Sequence, residues 1–297
     1  MSNKPRKMTL EKKHNLTGWA FLAPATFLIA VFSFWPMIKA LVLSFQTGKG
    51  RNMQMAGFTN YIRMFQDDVF LQSIKNTFFY FILQVPIMLV VAMVLACILN
   101  KKDLRFKGFF RTMIFLPCTT SLVAYSIIFR SLFANDGLVN YVLVNFGILD
   151  KPYNFLTQPF AAKMVIILAL LWRWTGYNMV FFLSGLQNIE SSVYEAAKID
   201  GASAIQTFFK ITVPVLKPTI LLTAIMSTNG TLQLFDESIN LTDGGPANAS
   251  ISMSHYIYNL CFKYVPNFGY AAAMSFFILL LVAVLAFIQM RVGDKRD

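Results

Sequence analysis

Six stretches of predominantly apolar residues, 16–45, 78–99, 112–133, 161–186, 215–235 and 270–290, run along the chain, each close to or above the roughly 20 residues that cross a hydrocarbon core. Polar segments separate them, and no soluble-domain pattern, low-complexity tract or internal repeat intervenes. The pattern predicts an all-α membrane protein with six transmembrane helices. The first stretch is longer than a crossing requires and carries Pro24 and Pro36. Being of span length and lacking a small-residue cleavage site, it is expected to remain as a span, with no cleavable leader.

Charge orients the spans. Lys4, Arg6, Lys7, Lys12 and Lys13 precede the first, Lys101, Lys102, Arg105, Lys107 and Arg111 follow the second, and Arg291, Lys295 and Arg296 follow the sixth. The alternate loops, 46–77, 134–160 and 236–269, hold fewer cations for their length and carry Asp67, Asp68, Asp136, Asp150, Asp236, Glu237 and Asp243. The inside-positive bias therefore predicts that both termini are cytoplasmic. A basic cytoplasmic tail, 1–15, is expected to lead into a single transmembrane domain, 16–297.

Composition narrows the classes. With 56% hydrophobic residues, 13% charged residues and 30 Phe, the chain is too apolar for a soluble protein of 297 residues. The net charge of +12 follows the membrane topology, so no nucleic-acid partner is expected. Cys97, Cys118 and Cys261 lie apart in apolar surroundings, which suggests neither a disulfide framework nor a metal site.

The loop at 187–218 between spans four and five is patterned rather than linker-like. Ser192-Val193-Tyr194-Glu195 fits S-x-x-E, so Ser192 is expected to cap a helix while Glu195 reaches back. Ala196 and Ala197 favour helix, and Asp200-Gly201 offers a turn where positive φ is cheap. A second amphipathic piece with Ile205, Phe208, Phe209 and Ile211 leads to Pro214 and Pro218, which re-aim the chain into span five.

Glu195-Ala196-Ala197, followed by Asp200, Gly201 and Ala202 and continued by Phe209, Ile211, Pro214 and Pro218, resembles the EAA loop of ABC importer permeases. Leu241-Thr242-Asp243-Gly244-Gly245-Pro246 after span five is similar to the carbohydrate branch, that of the maltose and glycerol-3-phosphate permeases in its compact six-span form. The resemblance implies a cytoplasmic coupling helix that docks on a separate ATPase. It also implies a second related permease, two copies of the ATPase, and an extracytoplasmic solute-binding protein that delivers a sugar. ATP and Mg would be used by the ATPase, and no cofactor would be bound by this chain.

Polar residues within spans are costly and mark candidate ligand positions. By alignment on the shared loop, Ser227, Gly230, Thr231 and Leu234 fall at positions resembling maltose-permease ligand contacts, although asparagines common there are replaced at Thr231 and Leu234. Asn229 belongs to the same polar stretch, where Gly230 is also expected to loosen the helix. Span four adds Trp172, Arg173, Trp174, Tyr177 and Asn178, whose aromatics could stack on sugar faces or form an interfacial belt with a snorkelling Arg173. Arg130 near the outer mouth is a further candidate.

Catalytic signatures are missing. Gly48-Lys49-Gly50 lacks the spacing and the Ser/Thr of a phosphate-binding loop, and neither H-E-x-x-H nor G-x-S-x-G occurs. The sequence thus points to a non-enzymatic sugar permease of an ATP-driven importer working by alternating access. A self-sufficient secondary carrier or channel is the alternative, but it would favour charged relay residues inside the spans.

Overall fold

The computed structural model describes residues 9–49, 52–101 and 103–293. Lys4, Arg6, Lys7, Gly50, Lys102, Lys295 and Arg296 lie outside the described residues. α1 (Leu10–Ile29) begins ahead of the expected span and passes through a π-turn at Ala30–Phe34 into α2 (Trp35–Ser44). Pro36 sits where the π-turn passes into α2, inside one continuous helical stretch from Leu10 to Ser44. An antiparallel hairpin follows, β1 (Gln46–Lys49) against β2 (Asn52–Met55), which the all-helical expectation omits. Gly48 belongs to this hairpin, with φ +137° and a built Cβ 2.0 Å from the Asn52 carbonyl oxygen, so only glycine fits.

After α3 (Thr59–Met64), α4 (Asp68–Asn100) runs ten residues further toward the N-terminus than the apolar stretch suggested. Its start is set by Asp67, whose Oδ1 accepts the backbone N–H groups of Val69 and Phe70 at 3.0 and 3.2 Å. The third stretch is not one crossing helix. α5 (Lys107–Thr119) and α6 (Leu122–Leu132) meet at 98°, because Pro117 lies in the last turn of α5 and Thr120 and Ser121 are extended. α7 (Leu138–Asn145) leads to α8 (Pro159–Gln187), which opens on a proline and matches the expected fourth span within two residues.

The patterned loop forms α9 (Ser191–Ile199), α10 (Ala204–Thr207), a π-turn at Phe208–Thr212 and α11 (Val213–Val215). A 70° corner at Leu216 then turns into α12 (Lys217–Leu232). Gly230 leaves α12 unbroken; the helix ends two residues later. α13 (Asp236–Thr242), α14 (Met253–Tyr258), a π-turn at Asn259–Lys263 and α15 (Phe268–Gly293) complete the described residues. Among the described residues four helical stretches are long and apolar enough to cross a bilayer, and six if each bent pair is one span.

α4 and α8 are the central pair, with α5 against α8, α12 against α4 and α15, and α15 against α2. Close approach at the α5–α8 crossing depends on Gly176, where a Cβ would stand 1.9 Å from the Ile114 carbonyl oxygen. Apolar clusters fill three levels, one around Phe70, Met253 and Tyr270, one around Tyr80, Ile166 and Leu241, and one around Ala96, Phe182 and Leu216. α1 is almost wholly exposed, as expected of a helix that meets lipid or a neighbouring chain rather than this bundle.

Candidate functional site

A cavity of about 300 Å³ opens among α4, α6, α8, α12 and α13. α12 presents Ser227, Gly230 and Thr231 to it, Leu234 follows just past the end of that helix, and α8 presents Trp174, Tyr177 and Asn178. Within each helix the spacing i, i+3, i+4 puts the set on one helical face. Asn229 and Trp172, each two residues from a lining residue, fall off that face. Asn229 instead accepts from Gln233 Nε2 on the outer side of α12, beside Ser275. Trp172 stacks on Tyr125, 6.2 Å between ring centres, and is half-exposed. Arg130, at the end of α6, is exposed and does not line the cavity.

The polar wall is cross-linked. Thr231 Oγ1 donates to Gln84 Oε1 at 2.8 Å, and Gln84 Nε2 lies 3.1 Å from Met88 Sδ. Ser227 Oγ donates to Asn178 Oδ1 at 3.4 Å, while Asn178 Nδ2 donates to the Trp174 carbonyl at 3.1 Å. Trp174 and Tyr177 meet edge to face at 5.8 Å and add an aromatic surface to the same cavity. Aromatic faces against convergent amides and hydroxyls suit a polyol better than an apolar ligand or a compact ion.

Three polar contributors escaped sequence reasoning, Gln84 on α4 and Asp236 and Glu237 on α13, while Gln233, from the polar stretch of span five, lines the cavity from just beyond α12. The two acids count as outer-loop charges in a topology reading, yet α13 folds back so that both line the cavity. Arg173 is no snorkelling residue. It is buried, its Nη1 donates to the Thr120 carbonyl at 2.7 Å, and its guanidinium lies 4.9 Å from the centre of the Tyr125 ring.

Beyond the cavity, Asp67 gathers three elements. Tyr256 and Tyr270 both donate to its Oδ2 at 2.7 Å, tying α4 to α14 and α15. Burial pushes its carboxyl up, but the two phenols and the backbone donors at Phe70 and Val69 outweigh burial and hold it below the ordinary value. His255 is buried with Nδ1 2.9 Å from Ser238 Oγ. Burial presses its imidazole down to about 4, against the pull of the Asp243 carboxylate and with the Lys263 ammonium adding to the depression.

In the patterned loop Ser192 is not the cap. α9 begins at Ser191 with Glu190 at its N-cap, so Ser192 already lies in the first turn and its hydroxyl donates to Glu190 Oε2 at 3.2 Å; the capping box found in this loop, Ser203 with Gln206, opens α10. The turn at Gly201 is as anticipated. With φ +75°, it lets the Ala202 N–H reach the Ala197 carbonyl at 2.9 Å and its own N–H reach Lys198 at 3.2 Å, the Schellman closure. Ala197 is buried and Ala202 half-buried, whereas Glu195, Ala196, Asp200 and Gly201 are exposed. Ile199, Ile205 and Phe209 are exposed beside them, at 86%, 71% and 65%.

Comparisons with known proteins agree with this architecture. Residues 67–296 match the family model described as "Binding-protein-dependent transport system inner membrane component". The chain is 51% identical over 292 residues to the lactose transport system permease protein LacF of Rhizobium radiobacter, covering 98% of each chain. It is 30% identical to the arabinooligosaccharides transport system permease protein AraP of Halalkalibacterium halodurans, covering 96% of this chain and 90% of the other. Among solved structures, a chain of a bacterial alginate ABC transporter in complex with alginate pentasaccharide-bound periplasmic protein superposes with TM-score 0.84 at 25% identity, over 96% of both chains. With a family model matched over residues 67–296, a relative 51% identical over nearly the whole length and several apolar helices of span length, the chain belongs to the binding-protein-dependent transport system inner membrane components.

Proposed function

We propose that this chain forms the translocation path for a sugar or oligosaccharide in an ATP-driven importer, working by alternating access. The observation that carries the reading is the cavity whose polar wall pairs Thr231 with Gln84 and Ser227 with Asn178, against Trp174 and Tyr177. Lactose and arabinooligosaccharides, named for its relatives, are neutral saccharides of the kind such a wall suits.

In this reading both termini and the 187–218 loop are cytoplasmic, and the loop meets a separate ATPase that binds ATP and Mg. Exposed Glu195, Ala196 and Gly201, framed by exposed Ile199, Ile205 and Phe209, give that partner an apolar contact with one acidic anchor. A second, related permease completes the path, and a solute-binding protein delivers the sugar at the opposite face. The exposed Asn229 on α12 and Gln233 just past its end support a protein neighbour there, because such groups are costly against lipid. Closure of the ATPases would carry α9 with them and, through the corner at Leu216, shift α12 at the cavity.

The test is co-purification from native membranes of the wild type beside a Glu195→Lys, Gly201→Asp double variant. An ATPase and a second permease should accompany the wild type, and the ATPase should be lost from the variant. A wild type that purifies alone and takes up solute unaided would replace this reading with that of a secondary carrier.

A further inference from the structure

Glu237 sits on α13 and is 4% exposed, with its Oε1 accepting the Tyr125 hydroxyl hydrogen. It lines the cavity, as does its neighbour Asp236, and no lysine, arginine or histidine lines it among the described residues. The nearest cation, Arg173, stands behind the Tyr125 ring and spends Nη1 on the Thr120 carbonyl. A carboxyl at this depth is costly to bury, and a leucine would fill the volume more cheaply. Tyr125 supplies one donor, and a carboxylate has capacity for several more.

We propose that Glu237 sets the charge selectivity of the cavity: its carboxylate accepts hydrogen bonds from the hydroxyls of neutral saccharides and turns away saccharides that carry a carboxylate or phosphate. This inference rests on the reading of the cavity as a sugar site. Charge-assisted bonds from hydroxyls to a carboxylate are strong and short, so a neutral polyol gains from the group. An anion within about 6 Å of it, with no lining cation to offset the repulsion, is disfavoured on the order of 100-fold at an effective dielectric constant near 20. Selectivity here comes from a repulsive element as much as an attractive one.

The experiment uses the assembled importer in nanodiscs without its solute-binding protein, so that only the membrane cavity selects. Equilibrium binding is measured for radiolabelled lactitol and lactobionate, which share one skeleton and differ by a hydroxymethyl against a carboxylate. The wild type should bind lactitol at least about 30-fold more tightly than lactobionate, and Glu237→Gln should bring the two within about threefold. Glu237→Asp should restore most of the preference. An unchanged ratio in Glu237→Gln, or a Glu237→Asp variant that behaves like it, overturns the inference while leaving the saccharide reading intact. If the intact wild-type assembly binds neither compound, the saccharide reading falls and takes the inference with it. Should Glu237→Gln fail to assemble, Tyr125→Phe keeps the carboxylate and removes its donor; the preference should hold or widen, and a collapse overturns the proposal.

Discussion

Arg173 reaches from the middle of α8 to the Thr120 carbonyl, 2.7 Å away, and so holds the extended pair of residues at which α5 turns into α6. Thr120 lies past the end of α5, and its carbonyl has no helical partner to lose. A guanidinium bond to it closes a gap that lipid could not fill.

Replacing Arg173 by Leu should therefore loosen the bend rather than the core. The Thr120 carbonyl loses a charged donor, a loss of about 1–3 kcal/mol, and the midpoint of thermal unfolding in detergent should fall by several degrees. Arg173→Lys should recover only part of it, because an ammonium lacks the planar fork. Equal midpoints for wild type and Arg173→Leu would remove the role assigned to this bond.

Gly176→Ala should be among the most damaging single changes at the α5–α8 crossing. Its Cβ would stand 1.9 Å from a backbone oxygen, so the two helices must separate. Overpacking of this kind costs about 1–3 kcal/mol. Gly230→Ala, where nothing lies within 4 Å of the built Cβ, is the matched control and should leave the melting midpoint unchanged or slightly raised. Comparable midpoints for the two variants would contradict the crossing described.

Thr231→Val keeps shape and removes the hydroxyl that satisfies Gln84. Stability should fall by about 1 kcal/mol, and saccharide binding should weaken about tenfold as the wall loses a fixed donor. Binding by the purified assembly at matched protein concentration checks this, and an unaltered affinity would place the ligand elsewhere.

The buried His255 gives the fold a pH dependence. Its folded value near 4 lies below the ordinary 6.5, so between these values the unfolded chain binds the extra proton and the folded chain does not. The stability it contributes is complete above pH 6.5 and declines as pH falls toward 4. The Asp67 contribution, from a carboxyl held below 3.8, is lost only at still lower pH. Unfolding midpoints compared at pH 7.5 and 5 should drop for the wild type and drop distinctly less for His255→Gln; parallel drops would exclude His255 as the source.

The long apolar helices α8 and α15 were legible in the sequence because hydropathy and length alone define a crossing. The break between α5 and α6 was not, since a hydropathy window sums across Pro117 and Thr120 without registering two extended residues. On α12 and α8 the cavity face was legible as a helical period, whereas Asn229 and Trp172 are neighbours of that face in sequence and do not line the cavity. Gln84 and Glu237 could not be paired with Thr231 or Tyr125 from the chain alone, because separations of 147 and 112 residues are bridged only by the packing of α4 and α13. In the loop, Gly201 announced its left-handed turn, whereas the N-cap of α9 falls on Glu190, two residues ahead of Ser192, and the capping box opens α10 at Ser203.

The corner at Leu216 makes α12 an oar with a short handle. From that buried pivot to Thr231 the helix extends about 22 Å, so a swing of about 5° carries the tip nearly 2 Å sideways. A hydrogen bond of 2.8 Å, such as the one Thr231 makes to Gln84, does not survive that displacement. Small angular play at one end of this helix is thus converted into the making or breaking of specific bonds at the other, and the cavity wall reports the angle of the loop before any element has moved by the width of a side chain.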